Sequence, residues 1–569
     1  MLSLEAISIQ GSGDEDAPFL LKEVSLRMRR GELVALVGPS GCGKSTLLKG
    51  IAGLLEPTGG TVSWDGRDLA TQGDLAPADL GYVPQFSLAY DGLTVRESVH
   101  DALRLRVVGL DDAGHEARID SLLETTGLSE LADRRVGVLS GGQRRRLALA
   151  IETVSSPSLL LCDEVTSGLD PGSAREIVTL LHTLSRADGG ARRVVVNVTH
   201  SLLGLALYDR VVVLCGGRVA YQGPPQHLTH YFRTEDPDAI YDRLATRTGE
   251  DWDASWRKHG PFFEEGPTSA AATDADPLAP ETDPPTPDAL TQFGVLFTRR
   301  VRLFMRGRSQ LGLQAALVLG FPCLVVIFAL KGLPGIRNLS LDGDLSVVEQ
   351  LRESAGYLVQ AFDVGGLVSG LLLFQIILLA LMGSNNGALE IAGERMLFER
   401  EKLAGLSPAS YLASKAVFLG LLVTAQAVWM VLFVHAVCGF PGDLVGQVGL
   451  LWLTDAALTA VCLAFSSFAN SPSQASLVSI YFVGFQLPLS GAVLALPDTL
   501  ARLTRPFIAA YWSWAGAILT LRDTRFYDLI LKITKTDLAA LPVCYWVLSA
   551  QLVLGLFLAY LGCRRGVWE

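Results

Sequence analysis

Residues 38–46 read GPSGCGKST. Glycines at 38, 41 and 43 free the backbone to turn its N–H groups inward, and a lysine and two hydroxyls follow directly. Gly38, Pro39, Ser40, Gly41, Cys42, Gly43, Lys44, Ser45 and Thr46 therefore form a loop suited to phosphate oxygens, strengthened by the positive end of the helix that follows. In such a loop Lys44 reaches the β- and γ-phosphates of a nucleotide and Ser45 ligates Mg²⁺. A second candidate is the apolar run Leu159–Cys162, which ends in two acids. Asp163 is placed to hold the ion, directly or through water, and Glu164 to polarise the attacking water as general base. A third is Ser140, Gly141, Gly142 and Gln143, a tight turn ahead of the run RRRLALA. Such a turn makes a backbone nest for a γ-phosphate, or else simply caps a helix. ATP and Mg²⁺ are the expected cofactors.

These groups need rigid supports. Residues 31–38 (GELVALVG) predict a buried strand, and STLLKGIAGLL after the glycine loop predicts a helix. Val194–Val198, ending in Thr199 and His200, is another apolar run of strand type. Buried β-rich runs separated by helical segments predict a parallel sheet covered by helices.

A chain of 569 residues predicts two or more domains. The net charge of −11 argues against nucleic acid as a partner, since backbone binding needs a basic surface. The start, MLSLEAISIQ, lacks the pattern of a cleavable signal peptide, so the N-terminal domain is expected in the cytosol. Free thiols are expected, with a Cys438–Cys544 bridge as the alternative for that pair. Beyond Leu311, stretches of membrane-crossing length carry almost no charge, and six spans are predicted at 311–330, 365–383, 416–440, 445–469, 474–496 and 542–563. Residues 261–288 hold seven prolines and seven acids with no Lys or Arg, the mark of a solvated linker. Arg299, Arg300, Arg302, Arg306 and Arg308 then predict an amphipathic helix on the cytosolic membrane face. Residues 506–520, uncharged but too short to cross, predict an external re-entrant or interfacial element with Tyr511, Trp512 and Trp514 at headgroup depth. Asp455 is the only acid well inside a predicted span. Sequon patterns occur at Asn338, in a predicted external loop, and at Asn197, in a predicted buried strand.

LSGGQ at 139–143 resembles the signature motif of ATP-binding-cassette (ABC) proteins. Gln85 after GYVP then resembles the Q-loop glutamine, which senses Mg²⁺, Ser167-Gly168-Leu169-Asp170 the D-loop with Asp170, and His200 the switch histidine. The order of ATPase first and six spans second resembles the ABCG subfamily and its bacterial relatives, as do LTVRES at 93–98, TSGLDP at 166–171 and FEREKLAGLSPASYLASK at 398–415. The fold class implied is an α/β P-loop nucleotide-binding domain, with a parallel sheet core and a helical subdomain, followed by an all-α six-helix transmembrane domain. Its boundaries are 1–245 for the nucleotide-binding domain, 246–288 for the linker, 289–310 for the connecting helix and 311–569 for the spans. The resemblance implies that ATP lies between the P-loop of one subunit and the signature of another, hence a homodimer. It implies an ATPase exporting an amphipathic or lipid-like substrate, with membrane lipid as a further partner and a bacterial plasma membrane as the location. Export of a glycan polymer, or a regulatory protein that transports nothing, are the alternatives. It further implies a central cavity lined by Phe374, Gln375, Phe482, Phe485 and Gln486, and a coupling helix within 398–415 received by Glu97 and its helix. Two departures stand out: no aromatic residue in 1–18 could stack adenine, leaving Phe19, and Val165 stands where proline commonly follows the catalytic glutamate.

Overall fold

The computed structural model describes residues 1–11, 17–73, 75–85, 89–186, 192–202, 204–264, 286–330, 333, 347–493, 495–534 and 536–566. Most of the proline-rich linker and the Asn338 sequon lie outside them. The chain divides into two compact units, one of residues 1–295, 396–407 and 566–569 and the other of 296–395 and 408–565.

The described strands of the first unit are β1 (Leu2–Gln10), β2 (Phe19–Met28), β3 (Leu33–Val37), β4 (Gly59–Trp64), β5 (Arg67–Asp68), β6 (Leu80–Val83), β7 (Leu159–Asp163), β8 (Val194–Val198), β9 (Arg210–Cys215) and β10 (Arg218–Gly223). One sheet has the order β10-β9-β3-β8-β7-β6, parallel except for β10. Every residue of β3, β7 and β8 is buried, as two covered faces require. A second, antiparallel sheet, β2-β1-β4-β5, is one the apolar runs did not announce. It buries alternate residues of β2, a weaker pattern in sequence. A separate core that includes Val95, Val99, Leu103, Ile119, Leu123, Leu147 and Ile151 joins helices Val95–Arg106, Asp112–Thr125 and Gly141–Glu152 into a helical subdomain.

Among the described residues of the second unit, five helices are long and apolar enough to cross a membrane. The predicted fifth span is instead two pieces, Pro472–Gly484 and Gln486–Leu489. Pro488 has no N–H for the carbonyl of Gly484, so the helix breaks there. The second helix runs Val347–Gly387, beginning well before the predicted 365. Its first turns carry charges that a search for apolar windows passes over. Helix Ala509–Leu519 fits the re-entrant alternative and not the interfacial one: Trp514 is 1% and Tyr511 2% exposed within the helical core. The Trp514 indole donates to Ser369 Oγ at 3.0 Å, and the Tyr511 hydroxyl to the carbonyl of Asp537 at 2.8 Å. Their polar tips are satisfied by protein and need no headgroup. All eight cysteines are free, so Cys438 and Cys544 form no bridge.

The connecting helix, Ala289–Arg306, also differs from expectation. A helix lying on a membrane would turn its arginines outward. Arg299 is buried, and Arg300 makes a bidentate pair with Glu390 at 2.5 and 2.7 Å. Lys415 joins Glu390 at 3.1 Å and also meets Glu394, which accepts from the Tyr411 hydroxyl at 2.6 Å. Each buried charge therefore has a counter-charge close by, without which burial would be prohibitive.

Small residues bring the membrane helices together. A Cβ on Gly387 would stand 2.5 Å from the carbonyl oxygen of Thr459 and 2.9 Å from the nitrogen of Leu463. Asp455, on the same helix Leu444–Phe468, is fully buried, with Thr459 Oγ1 at 3.5 Å from Oδ1. Because backbone cannot yield as a side-chain tip can, Gly387→Val is expected to cost about 1–3 kcal/mol. Its thermal unfolding in detergent should start well below that of the parent, with Gly387→Ala between the two.

Candidate nucleotide site

β3 ends at Val37, and the glycine loop carries the chain into helix Lys44–Ile51. Gly38 has φ +152° and its Cβ position lies 2.3 Å from the carbonyl of Leu214, while Gly43 has φ +98° and abuts Leu20 and Leu21 of β2. Only glycine fits either place. The loop is thus wedged between two strands, which fixes its curvature. The Lys44 ammonium, 5% exposed, donates to the carbonyls of Gly38 and Pro39, both at 2.9 Å. Phe19, 49% exposed at the start of β2, lies one residue from the Leu20 carbonyl that meets Gly43.

β7 carries the two acids to the same sheet edge. Ser45 Oγ donates to Asp163 Oδ1 at 3.0 Å, so the two proposed ion ligands are adjacent. Glu164 turns away from the strand direction: its φ is +51°, a left-handed conformation costing a non-glycine residue about 1–2 kcal/mol. Its N–H donates to the carbonyl of Val198 on β8 at 3.1 Å, and its carbonyl accepts from Ser167 at 3.0 Å. These bonds hold the strain in place. The turn sends the carboxylate between two further predicted residues. Gln85 Nε2 donates to Oε2 at 2.8 Å, and His200 Nε2 lies 2.6 Å from Oε1. Sequence positions 85, 164 and 200 therefore converge on one carboxylate. Val165, in place of proline, is fully buried and leaves both acids where they are needed.

Oxygen donors at Ser45 and Asp163 fit Mg²⁺, which takes one or two protein oxygens and completes its shell with phosphates and water. Among the described residues no three His, Cys, Asp or Glu side chains gather to form a dedicated cage.

Ser140 caps helix Gly141–Glu152. Its Oγ accepts from the Gln143 N–H at 3.4 Å, and Gln143 Oε1 accepts from the Ser140 N–H at 3.0 Å. Within one chain the signature turn does serve as a cap, and Ser140 and Gly141 remain exposed. Asp170 caps the next helix through the N–H of Ser173 at 3.0 Å. The residues nominated for a substrate cavity lie on two helices that touch, Val347–Gly387 and Pro472–Gly484, and on the short piece after the second. Gln375 and Gln486 are buried, the latter accepting from Ala510 N–H at 3.1 Å. Phe374 packs on Phe328 and Phe482 on Phe465, while Phe485 is 57% exposed.

One cluster escaped the sequence reading. Glu97 closes a capping box with Thr94 at the start of helix Val95–Arg106, whose Ala102, Leu105 and Arg106 lie beside Arg400 and Glu401. An acid that meets the segment 396–407 is Glu152, at the far end of the helix that Ser140 caps. It accepts from Arg106 at 3.0 and 3.1 Å and lies 3.5 Å from Arg400 Nε, all three nearly inaccessible. The signal was present: Glu152 is an acid closing an apolar run, and Arg400 stands in the charged FEREK stretch. Neither position alone distinguishes a buried pair from a solvated one.

Two outcomes follow from these geometries. Glu152→Ala would take from the buried Arg106 its bidentate carboxylate, and should lower the unfolding free energy by about 3–5 kcal/mol in chemical denaturation, with Glu152→Gln milder. Asp163 is held above the usual carboxylate range, first by burial and then by the neighbouring Glu164 charge. A carboxyl raised in the folded state adds stability below its unfolded pKa and loses it as pH rises through the folded value. In metal-free protein, Asp163→Asn should therefore gain stability relative to the parent as pH rises from about 4 to 7. Melting curves at both pH values would measure the difference.

Comparison with known proteins agrees with this geometry. The family described as ABC transporter matches residues 21–167, and the one described as ABC-2 type transporter matches 291–514. The ABC transporter ATP-binding/permease protein Rv1747 of Mycobacterium tuberculosis is 31% identical over 522 residues, covering 88% of this chain and 56% of that protein. This chain thus spans little more than half of that relative's length. The methionine import ATP-binding protein MetN of Cupriavidus pinatubonensis is 34% identical, over 45% of this chain and 78% of its own. The phosphonates import ATP-binding protein PhnC 2 of a Synechococcus strain is 37% identical, over 41% of this chain and 87% of its own. The chain is therefore a multi-pass membrane protein of the ABC transporter family, with an N-terminal ATP-binding domain followed by an ABC-2 type membrane domain.

Proposed function

We propose that this chain is one half of an ATP-driven exporter that works as a homodimer and moves an amphipathic or lipid-like molecule. The observation that carries the ATPase reading is the convergence of Gln85 and His200 on Glu164, beside the Ser45–Asp163 pair. Glu164 takes the proton of the water that attacks the γ-phosphate, and Gln85 and His200 hold its carboxylate in line. Lys44 and the loop N–H groups bind the β- and γ-phosphates. Mg²⁺ bound at Ser45 and Asp163 would neutralise charge that develops on the phosphate oxygens.

The dimer rests on a count. The chain has one glycine loop, at 38–46, and one signature turn, at 139–143. The exposed N-terminus of helix Gly141–Glu152 suits a phosphate offered by a second subunit. Export and an amphipathic cargo rest on the order of domains and on the kinship of the membrane part with ABC-2 type transporters.

Replacing Glu164 with Gln keeps the hydrogen-bonding shape but removes the base. ATP turnover should fall by about 10²–10⁴-fold while nucleotide affinity stays near that of the parent. Retained turnover would refute the assignment. The composite site has its own test. Lys44→Ala and Ser140→Arg subunits, each inactive alone, should recover part of the parental activity when co-assembled, because one of the two sites then contains neither substitution. No recovery in verified mixed dimers would place both motifs in the same subunit's site.

A further inference from the structure

A cavity of about 330 Å³ lies in the helical unit, and its wall is chemically mixed. Phe304, Leu313 and Leu422 are among its apolar lining, and Arg300, Gln310, Asn385 and Glu390 are among its polar lining. Chain order fixes its depth. Arg300 is near the end of helix Ala289–Arg306, Gln310 is in the first turn of Arg308–Val326, and Asn385 is in the last turn of Val347–Gly387. The start of the first span and the end of the second share one membrane face. The cavity therefore sits where acyl chains give way to headgroups.

The polar lining is organised before any ligand arrives. Glu390 holds Arg300 in its bidentate pair, and the guanidinium lies 4.5 Å from the ring centre of Phe418. Packing and charge thus fix this cation in one orientation, facing the cavity. Gln310 and Asn385 are exposed at the mouth and can each offer amide N–H donors. The helix that begins beside them has Gly307 at its cap position and no side-chain cap bond. A phosphodiester oxygen would find donors from all three sources.

Charge and wall chemistry decide what brings it there. Glu390 meets Arg300 and Lys415, and Glu394 meets Lys415 and faces Arg299, so these acids offset most of the positive charge that would draw a free dianion from water. A singly charged phosphodiester attached to a hydrocarbon chain gains in addition the burial of methylenes against the apolar lining, about 0.8 kcal/mol for each one. We propose that this cavity binds a phospholipid of the cytosolic leaflet. Its phosphodiester is held by Arg300, Gln310 and Asn385, and the first part of one acyl chain lies along Phe304, Leu313 and Leu422. The site depends on the membrane placement of these helices and is independent of what the protein exports.

Delipidated full-length protein in detergent can be titrated with phosphatidylglycerol in mixed micelles and followed by native mass spectrometry. The parent should bind the lipid saturably. Gln310→Leu/Asn385→Leu, which removes donors from exposed positions, and Leu422→Trp, which crowds the apolar lining, should each weaken binding at least tenfold. Glycerol 3-phosphate, carrying the phosphate without the chains, should not bind. Unchanged affinity in both variants would overturn the proposal, and glycerol 3-phosphate binding as tightly as the lipid would make this a soluble phosphate site instead. A phosphatidylglycerol with a photoreactive acyl chain, used on the unsubstituted protein, removes any dependence on variant folding. Labelling should fall on the peptide that contains Phe304 to Leu313. Labelling only elsewhere would refute the assignment.

Discussion

Two adjacent carboxylates at the end of a buried strand are the constraint on which the ATP-binding unit depends. Side chains of neighbouring strand residues point to opposite faces, so Asp163 and Glu164 would part company if β7 simply continued. The left-handed turn at Glu164 solves this, directing one acid to Ser45 and the other to Gln85 and His200. Such a turn survives only because β8 supplies a carbonyl for its N–H and the D-loop supplies an N–H for its carbonyl. The close fit of the glycine loop between Leu214 and β2 belongs to the same design: the loop follows β3 and both acids close β7, two strands of one sheet separated by β8.

The membrane unit meets a different demand. Away from water, polar groups must be paired within the protein, and the described helices do this in rings. Gln314, Asn386 and Gln426 exchange amide hydrogen bonds at 3.1, 2.8 and 3.2 Å across three helices. Arg395 donates to the carbonyls of Ser467, Gly562 and Arg565 at 2.7, 3.1 and 3.0 Å, tying its own segment to the ends of helices Leu444–Phe468 and Leu541–Arg564. Glycines at 387, 555 and 562 let the backbones close to the distance such bonds require.

Helix Gly141–Glu152 is an economical link. One end presents the exposed signature turn, and the other holds Arg400 from the loop that follows the second span. A helix of 12 residues is about 18 Å long, which sets the distance between the signature turn and Glu152. Glu152, paired with Arg106 at the end of the helix that Glu97 caps, meets the segment 396–407 at Arg400.

The sequence alone determined the nucleotide chemistry. The loop at 38–46, the acids at 163 and 164, Gln85, the signature turn and His200 stood out as candidates because phosphate chemistry demands few residue types at fixed offsets from a strand end. It also determined that six segments are apolar, since bilayer thickness sets their length. Tertiary structure decided what depends on partners distant in sequence. A tryptophan at 514 reads as interfacial until Ser369 is seen to satisfy its indole, and the arginines at 299 and 300 read as surface charges until burial and Glu390 place them inside. Composition describes what a side chain can do in water or lipid. Which of the two it meets, or neither, is fixed only when the helices have packed.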